Sequence, residues 1–148
     1  MAPDGEASMT TRGPRFTKED AMCDGLQNQK VIGIPPRTFK NTATVDMTVT
    51  ITWPEMTWVC PVQGYPDFAH VTIEYVPGDK ILELKSLKIW LTAFRNRPIG
   101  HERIASEIFE TLWTKASPKR LKVVLDINPR GNMKSVITIE RTAPGGGP

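Results

Sequence analysis

The chain has 148 residues, 39% hydrophobic and 24% charged, with a net charge of +3. That is enough for one core, while the charge is too small and too scattered to point to nucleic acid. No apolar run approaches the roughly 20 residues of a membrane span, and the N-terminus lacks a secretory hydrophobic stretch, so a cytoplasmic protein is expected.

Residues 1–35 are rich in Gly, Pro, Thr and charge without apolar periodicity, which predicts a disordered N-terminal tail. Cys23 lies there and reads as an inert thiol. Val45, Met47, Val49, Ile51 and Trp53 then alternate with Thr44, Asp46, Thr48, Thr50 and Thr52, the pattern of a half-buried strand. Pro54 to Asp67 reads as a long loop, and long ordered loops in compact domains are usually functional. Ala69, Val71, Ile73 and Tyr75 alternate with His70, Thr72 and Glu74 in a second strand. From Leu82 the period changes: Leu84, Leu87, Leu91 and Phe94 fall at helical spacing. Pro98-Ile-Gly100 interrupts, and a second helix turns Ile104, Ala105, Ile108, Phe109 and Leu112 inward. Leu121, Val123, Leu125 and Ile127 mark a third strand, Ile137 and Ile139 a fourth. Residues 142–148 read as a flexible tail. The order β-β-α-α-β-β over residues 36–141 predicts an α+β domain, an antiparallel sheet with two helices on one face. Its open edges invite pairing with further copies.

Four features could carry chemistry, and each also has a plain reading. Cys60 and Asp67 flank a Pro/Gly-rich segment, where a thiol can act as nucleophile and a carboxyl can move a proton; a loop cysteine of no consequence fits equally. Lys85 and Lys88 sit one turn apart and can converge on an anion, or form a solvated helix face. His101-Glu102 opens the second helix. Glu102 is either a favourable first-turn carboxylate or a partner for the N–H edge of a base. Arg130-Gly131 is a turn or a phosphate-binding arginine. With Cys23 and Cys60 the only cysteines and His70 and His101 the only histidines, there is neither a disulfide framework nor a confident zinc set.

Taken together, these features stand in the order of one family. Pro54-Glu-Met-Thr-Trp-Val-Cys60-Pro, Gly64-Tyr-Pro-Asp67-Phe-Ala, Glu83-Leu-Lys-Ser-Leu-Lys-Ile-Trp90 and Phe94-Arg-Asn…His101-Glu102 resemble the short, single-module 7-cyano-7-deazaguanine reductases. These are the nitrile reductases of queuosine biosynthesis, in the tunnel-fold superfamily. The resemblance runs from about Arg37-Thr-Phe39 to Arg130-Gly131. It implies that Cys60 is the nucleophile of a covalent thioimide and Asp67 its general acid. It places Leu82, Glu83, Leu84, His101 and Glu102 at the substrate, with His101 also assisting proton transfer, and Lys85, Lys88 and Arg130 at NADPH. It also implies a homo-oligomeric barrel of two stacked pentamers with sites between neighbours. Two departures stand out: Asn132 follows Arg130-Gly131 where the family commonly has a second glycine, and residues 41–46 lack an expected His and Arg.

The chemistry so implied is coherent. Thiolate addition converts a nitrile, a poor hydride acceptor, into a C=N thioimide, dividing one hard step into easier ones. A free thiol titrates near ~8.5, so the site must favour the thiolate or take its proton on attack. Asp67 could protonate the nitrile nitrogen if burial keeps it neutral beforehand. Two rivals remain: a relative that lets ammonia attack the thioimide to give an amidine on transfer RNA, and a non-catalytic purine-binding protein of the same fold. The Glu-x-Lys-Ser-x-Lys run speaks against the first; NADPH consumption discriminates the second.

Overall fold

The computed structural model describes residues 33–145. The N-terminal tail with Cys23 lies almost wholly outside them, as do residues 146–148 of the C-terminal tail. The elements are β1 (Thr38–Lys40), β2 (Val49–Val59), β3 (Pro66–Val76), β4 (Lys80–Leu82), α1 (Leu84–Thr92), a 3-10 turn (Ala93–Asn96), α2 (His101–Ala116), β5 (Arg120–Ile127) and β6 (Val136–Thr142). The architecture is α+β. Antiparallel β2-β3-β5-β6 form the main sheet and β1-β4 a two-stranded one. The two short strands add to the expected β-β-α-α-β-β order; three-residue pairings lie below what alternation can signal.

Side-chain alternation decides which sheet face is covered. Ala69, Val71, Ile73 and Tyr75 of β3 and Leu121, Val123, Leu125 and Ile127 of β5 are all buried. Against them lies the stripe of α2 made by Ile104, Ala105, Ile108, Phe109, Leu112 and Ala116, with Leu87, Trp90 and Leu91 of α1 and Phe94 beyond. Each core-facing position read for the second helix is thus in the core. Helix α2 ends at Ser117, which takes a left-handed φ of 45° and donates its N–H to the Trp113 carbonyl, a common helix-end geometry. Gly78 closes against that end. A Cβ there would stand 2.8 Å from the Ser117 carbonyl oxygen, so the β3–β4 turn has no room for a side chain.

The first strand differs from expectation at both ends. Residues 41–46 are not strand. Asn41 accepts the Ala43 N–H on its side-chain oxygen and donates its amide to the Gly78 carbonyl, and such local bonds offer the backbone an alternative to the ladder. Val45, read as core, is 70% exposed. At the other end β2 continues through Pro54 to Val59, with a register shift between Trp53 and Met56. Since β2 is an edge strand, a proline without an N–H is tolerated there, and a bulge absorbs it. The long loop expected from Pro54 to Asp67 is therefore a short turn, with Cys60 at its start and Tyr65 at its end. Loop length lends Cys60 no weight; its neighbours do.

Candidate active site

On β3, the inward column Tyr75, Ile73, Val71, Ala69 ends in a carboxylate. Asp67 is 1% exposed and is the one buried charged side chain among the described residues. An unpaired charge there would cost several kcal/mol, about the penalty for a desolvated ion, so its partners matter. Arg130 donates from Nη1 to Asp67 Oδ1 at 2.5 Å, and His101 Nε2 lies 3.3 Å from Oδ2. Each carboxylate oxygen has its own partner. Asp67 is buried as expected, but within an ion pair rather than as an isolated acid.

Three elements bring these groups together. Trp58 on β2 faces Asp67 across the β2–β3 ladder and is fully buried. Two residues further along, Cys60 is half-buried and closes the turn: its N–H donates to the Tyr65 carbonyl at 2.8 Å, and its carbonyl accepts the Gly64 N–H at 2.9 Å. Gly64 has φ +72°, a conformation that favours glycine. The backbone of Val59 clamps the approach to α2. Its N–H donates to the Arg97 carbonyl, and its carbonyl accepts the Ile99 N–H. This parallel bridge, with buried Ile99 beside it, sets the start of α2 next to Trp58. The His101 ring then meets the Trp58 indole edge-on, centroids 5.5 Å apart.

Arg130 arrives from the β5–β6 hairpin. Its N–H donates to the Met133 carbonyl and its carbonyl accepts the Met133 N–H. Between them Gly131 and Asn132 have φ of +55° and +64°, the signature of a type I′ turn. Asn132 suits this turn because asparagine tolerates the left-handed region. The Arg130 guanidinium also lies over the Tyr65 ring, 5.7 Å from its centroid. Sequence reasoning does not single out Trp58 or Tyr65. The available signal for Trp58 is its shared parity with Met56, which places it on the inner face.

The remaining candidates form a separate group. Leu82 is buried and donates its N–H to the Tyr75 hydroxyl; Leu84 is exposed. Glu83 caps α1: its carboxylate accepts the N–H groups of Lys85 at 2.7 Å and Ser86 at 2.8 Å, with Arg37 donating at 3.4 Å. Lys85 and Lys88 are exposed on α1, and no acidic side chain among the described residues pairs with either. Glu102 is exposed in the first turn of α2. Among the described residues no side-chain bond joins the Leu82–Lys88 group to the Cys60, Asp67, His101 and Arg130 group.

The Ser86 backbone N–H is the strongest influence holding the Glu83 carboxyl below its ordinary value of 4.5. Partial burial opposes it, while the Ser86 side chain, the Lys85 N–H and Arg37 add to it. A carboxyl lowered by folding adds stability above its unfolded pKa and loses it as pH falls through the lower folded value. The stability gap between the wild type and Glu83→Gln is expected to be full well above 4.5 and to close below it. Urea midpoints across pH read this directly; a gap independent of pH would reject the capping account.

The sequence model of the family described as QueF-like protein matches residues 66–145. A reductase of Aquifex aeolicus named NADPH-dependent 7-cyano-7-deazaguanine reductase is 49% identical over 94 residues, 64% of this chain and 73% of that one. The chain belongs to the QueF-like family. Identically named relatives from Wolinella succinogenes (47% identity, 63% of this chain and 75% of the relative) and Gloeobacter violaceus (42%, 68% and 73%) agree. The crystal structure of the archaeosine synthase QueF-Like in the apo form superposes with TM-score 0.56. It is 21% identical and the match covers 67% of this chain and 95% of that one, which establishes the QueF-like tunnel fold for this chain. The family match begins at Pro66, so it includes Asp67, His101 and Arg130 but not Cys60. The Aquifex and Wolinella relatives span about three quarters of their own length in these alignments. No helix among the described residues is long and apolar enough to cross a membrane.

Proposed function

We propose that this chain is an NADPH-dependent nitrile oxidoreductase that reduces 7-cyano-7-deazaguanine to 7-aminomethyl-7-deazaguanine in cytoplasmic queuosine biosynthesis. The observation that carries the reading is Asp67, a charged side chain at a core position, with His101 on one oxygen and the Cys60 turn at the end of its own hairpin. Relatives approaching half identity carry this activity in their names.

Cys60 attacks the nitrile carbon and becomes the thioimide sulfur. Asp67 delivers the proton to the nitrile nitrogen. His101, within reach of Asp67 Oδ2, assists proton transfer and shields the later imine from water. Leu82, Glu83, Leu84 and Glu102 hold the substrate, Glu102 by its guanine-like edge. Lys85 and Lys88 suit a nucleotide phosphate because they are exposed, one turn apart and free of acidic partners among the described residues. With Arg130 they hold NADPH, which when bound supplies hydride. Adding 7-cyano-7-deazaguanine to protein and NADPH should lower NADPH absorbance. No fall would end this reading and favour a purine-binding protein.

If Lys85 and Lys88 bind NADPH, losing either contact should raise the Michaelis constant for NADPH roughly ten- to a hundredfold, since each charge-assisted contact is worth about 1.5–3 kcal/mol, and the double Lys→Ala variant should show a larger rise. Adduct formation at Cys60 needs no hydride and should survive. Unchanged NADPH kinetics would return both lysines to the solvated face.

Among the described residues the Leu82–Lys88 group and the group around Asp67 share no side-chain bond. Edge strands β2 and β6 offer unpaired backbone on either side of the main sheet. Both facts favour a ring of copies, two stacked pentamers, with sites completed between neighbours. Light scattering should give a mass of about ten chains, the size of two pentameric rings; a fully active monomer would refute the assembly.

A further inference from the structure

Among the groups assigned to NADPH, Arg130 is placed differently from the two lysines. Its guanidinium is directed at Asp67 Oδ1, 2.5 Å away, and is backed by the Tyr65 ring. The residue is not free to drift, because the type I′ turn fixes its backbone through two hydrogen bonds to Met133. A guanidinium on one carboxylate oxygen occupies one of its lone pairs and draws charge from it, which leaves the other oxygen the better proton acceptor. That other oxygen, Oδ2, is the one beside His101. Two partners on two oxygens set the carboxylate plane, where a single partner would leave it free to rotate.

We propose that Arg130 is a positioning residue for Asp67: by holding Oδ1 it makes Oδ2 the oxygen that moves the proton during thioimide formation. The inference rests on the Cys60 thioimide reading above and gives Arg130 a task before any hydride is used. In the step itself the thiol S–H adds across the nitrile. The bond from Cys60 Sγ to the nitrile carbon forms and one C–N π bond opens. The thiol proton is taken up at Oδ2 and passed to the nitrogen. Nothing is oxidised or reduced, and Asp67 ends as it began, still paired to Arg130. His101 lies beside the same oxygen and keeps it from swinging away.

The test is the rate of adduct formation in full-length protein mixed with 7-cyano-7-deazaguanine and no NADPH, read by intact mass. Arg130→Met should slow the adduct about tenfold or more, since even a small misplacement of a reacting group can cost about a hundredfold. Arg130→Lys, which keeps the charge without the planar fork, should recover part of the rate. In an Asp67→Asn background, Arg130→Met should add almost nothing, because groups acting as one unit are non-additive. A merely structural loss would multiply in the double variant. Wild-type adduct rates in Arg130→Met, with only the NADPH Michaelis constant raised, would overturn the inference alone and leave a pure cofactor contact. Fully multiplicative losses would overturn it too. No adduct in the wild-type protein would overturn the thioimide reading and this inference with it.

Discussion

Mixed with 7-cyano-7-deazaguanine in the absence of NADPH, the protein is expected to gain the mass of one substrate per chain, mapped to Cys60. Cys60→Ala should give neither adduct nor turnover. Its fold should be unaffected, since the thiol is half-buried at a turn whose bonds are made by backbone atoms. Removing an activated nucleophile leaves only binding and electrostatic effects, so the loss should be several orders of magnitude. Asp67→Asn should slow the adduct severely, because the amide cannot take the thiol proton and pass it to nitrogen. The same substitution leaves Arg130 facing a neutral oxygen in place of a charged one, so the variant's melting temperature should be followed alongside the rate. Cys23 should remain unmodified. It lies in the segment whose sequence reads as a disordered tail, where no pocket is expected to orient a nitrile. Normal turnover by Cys60→Ala would remove the covalent mechanism altogether.

The parts of the fold legible in the sequence were those with a sustained period. The α2 stripe and the inward residues of β3 and β5 are core-facing because each repeats at 3.6 or 2 residues over several turns or pairs. Alternation misled where it continued past its structural cause. Val45 and Met47 keep the strand rhythm, yet Asn41 ties that stretch to the Gly78 turn instead. Pro54 misled in the other direction. It reads as a breaker, but an edge strand can carry it across a bulge.

The site was legible only in part, for a related reason. Cys60, Asp67 and His101-Glu102 stand in compact motifs, so they could be singled out locally as candidates. The pairing of Arg130 with Asp67 joins residues 63 apart in sequence, through a hairpin whose tip conformation is set by Gly131 and Asn132. No spacing rule reaches that far. Likewise Glu83 carried a substrate assignment by its motif, while its position one residue before α1 gives it the work of an N-cap. Both roles are compatible in principle, because a capping carboxylate has further lone pairs.

Glu102→Gln should fold like the wild type and bind 7-cyano-7-deazaguanine far more weakly. The residue is exposed in the first turn of α2, so its loss from the surface removes no packing. Its charge near the helix N-terminus is worth only about 0.3–1 kcal/mol. That is the whole effect expected if Glu102 merely favours the helix start. Recognition of a guanine-like edge asks for more. A carboxylate can accept two adjacent N–H groups, whereas glutamine turns one of its acceptors into a donor and sets donor against donor. Each charge-assisted bond is worth about 1.5–3 kcal/mol, so the dissociation constant should rise roughly ten- to a hundredfold for each bond lost. Calorimetric titration of substrate into a Cys60→Ala background separates this binding from the covalent step. A melting temperature lowered slightly with affinity unchanged would identify a helix-start carboxylate. Affinity lost with the melting temperature intact would place Glu102 on the substrate.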